Sequence, residues 1–393
     1  MYNIVIIGTS CFDGMASSKR VMNLMTPLLL KKMVTLNNLI YEKDIKQRLD
    51  KKGNLDGINF RVIGFRSKNI LTVFSFVFKG VAFLKKSRSR EQKNIIYNYG
   101  SIDIKNLIFL LYGKLAGYKI LIDIVEDNRY EKSVTPINKF RIRSSQFLLK
   151  NLWKLANSII VISNHLYKRM QDITKGKRPL YLIPICVDLK HFKNPGTIPR
   201  NDHLTIFYGG SFGEKDGLEY LIEAFEEVGK RYKNVDLILT GIGHKSNMDR
   251  IALQIDQLKN KDRIILKGFL TADNYFKLLN DSDIFCMTRV NSKFANAGFP
   301  FKLGEFLASG KAVIATSVGD VPKYLFNNVN SLVIAPNSVT EIVGALSSLI
   351  EDPGKIQSLG VEARKTAEQY FDSEKISMQL FRIFESLYEK KLA

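Results

Sequence analysis

Lys302 and Glu305 stand three residues apart in the stretch Asn296–Thr316, NAGFPFKLGEFLASGKAVIAT. Gly298, Phe299, Pro300 and Phe301 suit a loop that enters a short helix. Gly310 ends that helix, and an apolar strand follows. Arg289 stands slightly earlier, after the apolar run IFCM. Arginine and lysine complement a diphosphate, because charge-assisted bonds to phosphate oxygens are strong. A carboxylate one helical turn further on accepts two hydrogen bonds, which favours vicinal hydroxyls such as those of a ribose. The plainer alternative has Glu305 complementing the helix N-terminus, worth about 0.3–1 kcal/mol, with the basic residues in solvent.

Other loops offer related chemistry. Tyr208–Phe225, YGGSFGEKDGLEYLIEAF, places Gly209, Gly210 and Gly213 after an apolar run and Lys215 just before a helix. Backbone N–H groups, a helix dipole and a lysine together make an anion site. The same residues also fit an ordinary strand-to-helix turn. The Gly-Lys-Ser/Thr ending of a P-loop is absent. Gly241 in LTGIGH, and Gly268 with Phe269 in KGFL, follow the next two strands. Each is ordinary turn chemistry, or a place where a flat base or ribose lies on bare backbone.

In the first half, Gly8–Arg20 (GTSCFDGMASSKR) carries Gly14, Ser17 and Ser18, which suit a loop capping the next helix. The dinucleotide fingerprint G-x-G-x-x-G is missing, which counts against hydride transfer. Ile120–Lys132 (ILIDIVEDNRYEK) ends an apolar strand with Glu126 and Asp127. This pair either polarises an acceptor hydroxyl or lies in a solvated loop. The four histidines show no metal-ligand spacing, so no metal site is expected.

Such loops need strands to end on. Candidates in the first half are Asn3–Ile7, Asn59–Phe65, Asn94–Tyr99, Lys119–Val125, Ser158–Ile162 and Tyr181–Ile183. Those in the second half are Thr205–Tyr208, Val235–Thr240, Ile264–Lys267, Ile284–Met287, Ala312–Ala315 and Leu332–Ile334. Helical stretches alternate with them, among them Ser17–Val34, Ile104–Leu115 and Leu218–Arg231. The alternation occurs twice in 393 residues, too many for one ordinary core. The expected class is α/β: two doubly wound Rossmann-like domains, with ligand bound at the carboxyl ends of the strands and across the cleft between them. The first covers 1–195 and the second 204–370. Asn194–His203 (NPGTIPRNDH) is the expected join.

The net charge of +21 is uneven: residues 1–200 hold 36 Lys and Arg against 13 Asp and Glu, a balance of +23. That half should meet an anionic partner. Asn69–Arg90 mixes Phe74, Phe76, Phe78 and Phe83 with Lys79, Lys85, Lys86, Arg88 and Arg90. It is either an interfacial helix, each cation worth about 1 kcal/mol near an anionic leaflet, or a buried crossover helix with a basic end. No recognisable nucleic-acid module accompanies the charge. Three dispersed cysteines favour a reducing compartment, and no apolar run is long enough to span a bilayer. MYNIVIIGTS lacks a basic n-region and reads as a first strand rather than a leader.

Taken together, these loops resemble the retaining nucleotide-sugar glycosyltransferases of the GT-B fold in the large group called family four. SIIVISNHLYKRM (Ser158–Met170), IPICVDLKHF (Ile183–Phe192), SDIFCMTR, GKAVIATSVGDVPKYL and NSLVIAP match that family's segments in order and spacing. The F-P-x-K-L-x-E-[YF]-L-A-x-G form of Phe299–Gly310 is similar to one subgroup. The resemblance implies that Glu305 binds ribose hydroxyls and that Lys215, Arg289 and Lys302 contact the diphosphate. Amides around Gly298–Phe301 would hold phosphate or sugar, and Gly14 would let the first loop approach the phosphates. Gly241, Gly268 and Phe269 would line the base pocket. Residues 371–393 would form a helix returning to the first domain.

Three departures stand out. Ala297 replaces a glutamate eight residues before Glu305. Ser211 follows Gly210 where many members have arginine. Glu126 and Asp127 stand where a His-Asp pair is frequent. The implied reaction is metal-independent hexosyl transfer from a UDP or GDP sugar, a co-substrate rather than a cofactor. The acceptor would be a lipid-linked saccharide, met by a cytoplasmic enzyme at the inner membrane face. A nucleotide-sugar epimerase and a catalytically silent nucleotide-binding subunit are the alternatives.

Overall fold

β1 (Tyr2–Ile7) is the apolar run YNIVII, buried at every position, as a parallel strand covered on both faces must be. The structure, a computed structural model, describes residues 1–42, 52–64, 70–130, 135–192 and 203–389. The chain divides into two compact units, Met1–Pro184 with Ser373–Ala393, and Ile185–Asp372.

In the first unit β1 is followed by α1 (Ala16–Leu30), β2 (Val34–Glu42), β3 (Lys52–Leu55), β4 (Ile58–Gly64), α2 (Ile70–Ser87) and β5 (Lys93–Tyr99). Then come α3 (Ile104–Leu115), β6 (Lys119–Ile124), α4 (Pro136–Leu152), β7 (Ser158–Val161), α5 (Asn164–Thr174) and β8 (Leu180–Leu182). The strand order is β3-β4-β2-β1-β5-β6-β7-β8, parallel except for β3 against β4.

In the second unit the order along the chain begins β9 (Leu204–Gly210), α6 (Leu218–Arg231), β10 (Val235–Gly241), α7 (Lys245–Asp256), β11 (Ile264–Gly268) and α8 (Ala272–Asp281). It continues with β12 (Ile284–Met287), α9 (Lys293–Ala297), α10 (Phe301–Ala308), β13 (Ala312–Thr316), β14 (Leu332–Ile334), α11 (Val339–Ile350) and α12 (Pro353–Tyr370). The strands run β11-β10-β9-β12-β13-β14, all parallel. The last helix, α13 (Ser373–Ser386), packs on α1 of the first unit. Two parallel-sheet α/β units are the expected fold class.

The differences from expectation are local. Val34 opens a strand instead of closing a helix. β2 escapes a pattern search because Asn37 and Asn38 interrupt its apolar run. Both are buried and paired: Asn38 Nδ2 donates to the Ile6 and Thr9 carbonyls, and Asn37 Nδ2 donates to Asn3 Oδ1 at 2.8 Å. Ser17 and Ser18 do not cap α1. They lie inside it, and Met15 takes the cap position with no side-chain bond. The first unit ends before 195: Val187 pairs with Asp372, and a Cβ on Gly304 would lie 2.9 Å from Ile185. The expected join lies outside the described residues except for His203, as do Phe65 and Asn69. No described helix is long and apolar enough to cross a membrane.

Candidate functional site

In the second unit the singled-out residues gather at the carboxyl ends of the parallel strands. Gly241 pairs with Gly210 across β10 and β9. Gly241 has φ 135°, and a Cβ there would stand 1.7 Å from the Gly210 carbonyl oxygen. Only glycine lets these two strand ends meet. Beyond Gly210 the loop is tied down by Asp216, a buried acid that sequence reasoning passed over. Its Oδ2 accepts from Ser211 Oγ and from the Gly213 N–H, the latter at 3.2 Å. Its Oδ1 lies 3.8 Å from Arg289 Nε. Thr288 Oγ1, after β12, donates to the Asp216 and Gly217 carbonyls, both at 3.2 Å. The loops after β9 and β12 are thus one stapled structure. Ser211 and Arg289 are joined through a single carboxylate. Lys215 lies on the same loop, its Nζ 4.4 Å from the centre of the Phe294 ring.

The strand ends on the other side of β9 carry the expected base-binding group. Phe269 is exposed at the end of β11, with Ile242 exposed after β10. Gly268 takes φ +63° with open space on its Cβ side, and its carbonyl accepts from Thr240 Oγ1 at 2.7 Å. An exposed aromatic beside bare backbone offers a flat, sequence-tolerant stacking surface.

The stretch around Lys302 is held from below. Phe299 is buried against Tyr324 and Phe371, and fixes the turn through Gly298 and Pro300 that starts α10 at Phe301. Glu305, one turn in, is 3 % exposed. Its Oε2 accepts from Tyr275 Oη at 2.7 Å and lies 3.2 Å from Lys302 Nζ. Lys302 Nζ also sits 3.8 Å from the centre of the Tyr275 ring. The two charges are therefore not a solvated pair; a phenol and a lysine orient the carboxylate. Next to Tyr275, Phe276 stacks on His191 with ring centres 4.2 Å apart, which gives the Val187–Phe192 segment its place. Ala297 is fully buried at the end of α9, and no carboxylate stands there.

In the first unit Glu126 and Asp127 separate. Glu126 is exposed and Asp127 is buried. Asp127 accepts from Arg129 Nη2 at 2.7 Å, from Arg129 Nε at 3.0 Å and from Arg169 Nη1 at 2.9 Å, and lies 3.0 Å from His165 Nε2. Burial alone would raise its pKa. The hydrogen bonds from Arg129 and His165 and the charge of Arg169 outweigh burial and leave it below the usual carboxylate range. His165 is the second residue of α5, after the Ser163 cap, at the carboxyl end of the neighbouring strand β7. A spacing search for metal ligands could not find it, because its partner is a carboxylate 38 positions away. Gly14, with φ +69°, lies exposed in the loop after β1.

Residues 191–366 match the family described as "Glycosyl transferases group 1". The chain is 22% identical over 190 residues to an uncharacterized glycosyltransferase of Methanocaldococcus jannaschii, the match covering 48% of this chain and about half (47%) of that relative. It is 22% identical over 311 residues to a subunit of the phosphatidylinositol N-acetylglucosaminyltransferase of Arabidopsis thaliana, covering 76% of this chain and 65% of that one. Among solved structures, HepE of Anabaena in complex with UDP-glucose superposes with a TM-score of 0.71 at 17% identity, over 98% of this chain and 99% of that one. That likeness shows the fold. It is the two-unit Rossmann-like architecture of GT-B glycosyltransferases.

Proposed function

We propose that this chain is a retaining, metal-independent hexosyltransferase that moves a sugar from a nucleoside diphosphate sugar to a hydroxyl of a lipid-linked saccharide in glycan assembly. The donor is a UDP or GDP sugar, and the enzyme works at the cytoplasmic face of a membrane. The observation that carries the reading is the buried Glu305 carboxylate, oriented by Tyr275 and Lys302 at the start of α10 within the matched segment 191–366.

In this reading Glu305 accepts from the two ribose hydroxyls. Lys215, Arg289 and Lys302 face the diphosphate, and Phe269 stacks on the base. The bond between the anomeric carbon and the diphosphate oxygen breaks, and its electron pair leaves with the phosphate. The acceptor oxygen bonds to the same face of that carbon. The acceptor proton passes to the leaving phosphate oxygen. Negative charge grows on the diphosphate, where fixed cations lower the barrier. Ala297 offers no carboxylate to the sugar, so the nucleotide end of the donor is held more tightly than the sugar end. A mass-spectrometric screen of nucleotide sugars against lipid-linked acceptors tests the reading. It predicts an acceptor heavier by one hexosyl unit, with release of the nucleoside diphosphate. An altered nucleotide sugar with no acceptor product would point to an epimerase instead.

A further inference from the structure

The outer faces of α2, α3 and α4 expose large apolar side chains. The three helices form one layer. The chain visits β4, β5, β6 and β7 in a single direction across the sheet, and right-handed crossovers then place every connecting helix on the same side. α2 lies against α3 so closely that a Cβ on Gly80 would meet the Phe109 ring at 2.2 Å. α4 is tied to the start of α3 by Ser145 Oγ, which donates to the Ile102 carbonyl at 3.0 Å.

Each helix has one stripe in the core and a second apolar stripe in water. α3 buries Phe109 and Leu110 while Ile104, Ile108, Leu111 and Leu115 face outward, the last 89% exposed. α4 buries Leu149 and exposes Ile137, Phe140 and Phe147. α2 buries Phe76 and Phe83 and leaves Phe78 75% exposed. Half of the Asn69–Arg90 aromatics are therefore core, and the apolar surface extends beyond that segment onto α3 and α4. None of the three helices contains Asp or Glu. α2 carries three lysines, α3 two, and α4 two lysines and two arginines.

A surface helix of a soluble protein normally turns its polar side outward. Within these helices the apolar stripes are accompanied by cations and by no acid, Asp103 standing just outside as the cap of α3; this matches a bilayer interface, where acyl chains take the apolar groups and anionic headgroups the cations. We infer that this face of the first unit, α3 and α4 with the exposed edge of α2, docks on an anionic lipid bilayer. The inference rests on the membrane-borne acceptor proposed above and names the surface that would bring the enzyme to it.

The test is co-sedimentation of the full chain with phosphatidylcholine vesicles, with and without phosphatidylglycerol. Two variants are compared with wild type, Leu111→Glu/Leu115→Glu and Phe140→Glu/Phe147→Glu. Leu253→Glu, an exposed apolar position on α7 of the second unit, is the control. Thermal unfolding confirms that each is folded. Wild type and control should bind the anionic vesicles, and each pair should weaken binding about tenfold or more. If wild type stays in the supernatant with both vesicles, the docking face and the membrane-borne acceptor both fail. If wild type binds and both pairs bind equally well, the face is wrong while the acceptor reading stands. If wild type is a dimer in solution, the pairs are monomers and neither binds vesicles, a second copy covers the face and the inference is overturned. Transfer to a detergent-solubilised acceptor tests the enzymatic reading independently of all three.

Discussion

Glu305 and Asp127 are both buried carboxylates singled out from sequence, and their surroundings give them different work. Glu305 has a phenol and a lysine at one oxygen. Asp127 is clamped by two arginines and a histidine, which suits a group that positions His165, Arg129 and Arg169 rather than one that meets substrate. Because its folded pKa lies below its unfolded value, the stability it contributes is complete above the unfolded carboxylate range and is lost as pH falls through the folded value. Asp127→Asn should therefore cost about 1–3 kcal/mol at neutral pH. In thermal unfolding series, the gap from wild type should close as pH drops below about 4. A gap that persists unchanged at low pH would mean the carboxylate's charge is not what matters. Lys302 and Glu305 were legible in sequence because both sit on one short helix. Asp216, Tyr275 and His165 were not, because each acts through a partner brought near only by folding.

At the scale of elements, the strands and most helices could be read from apolar runs and their punctuation. β2 could not, since Asn37 and Asn38 look like loop residues until their partners on β1 and the loop after it are seen. The same holds for the tie between α1 and β6. Arg20, nearly fully buried on α1, donates through Nε at 2.7 Å and Nη2 at 3.0 Å to Asp123 and also bonds the Ile183 and Pro184 carbonyls. Tyr97 Oη donates to the same carboxylate. The Arg20–Asp123 pair ties α1, the helix that follows the loop carrying Gly14, to the sheet. Removing one partner strands the other charge in the core, so Arg20→Met should destabilise by about 3–5 kcal/mol. Arg20→Met/Asp123→Leu should cost less than Arg20→Met alone. Denaturant unfolding of the two variants measures this, and a double variant weaker than the single would contradict the account.

For the whole molecule, the sequence already showed two α/β repeats and a basic first half. It did not show where that charge acts. The three acid-free helices became a single face only when the strand order put them in one layer. The residues proposed to hold the donor, by contrast, follow strands directly in the chain, so a linear reading could single them out even though the sheet order β11-β10-β9-β12-β13-β14 departs from the chain order. The central claim is that this unit grips a nucleotide through Glu305. The most direct measurement is calorimetric titration of UDP and of GDP into wild type, Glu305→Ala and the near-isosteric Glu305→Gln, with thermal unfolding confirming the fold of each. The account predicts that one nucleotide binds wild type and that both variants weaken it about 10- to 100-fold, the worth of hydrogen bonds to a charged group. Equal affinity in wild type and both folded variants would contradict it.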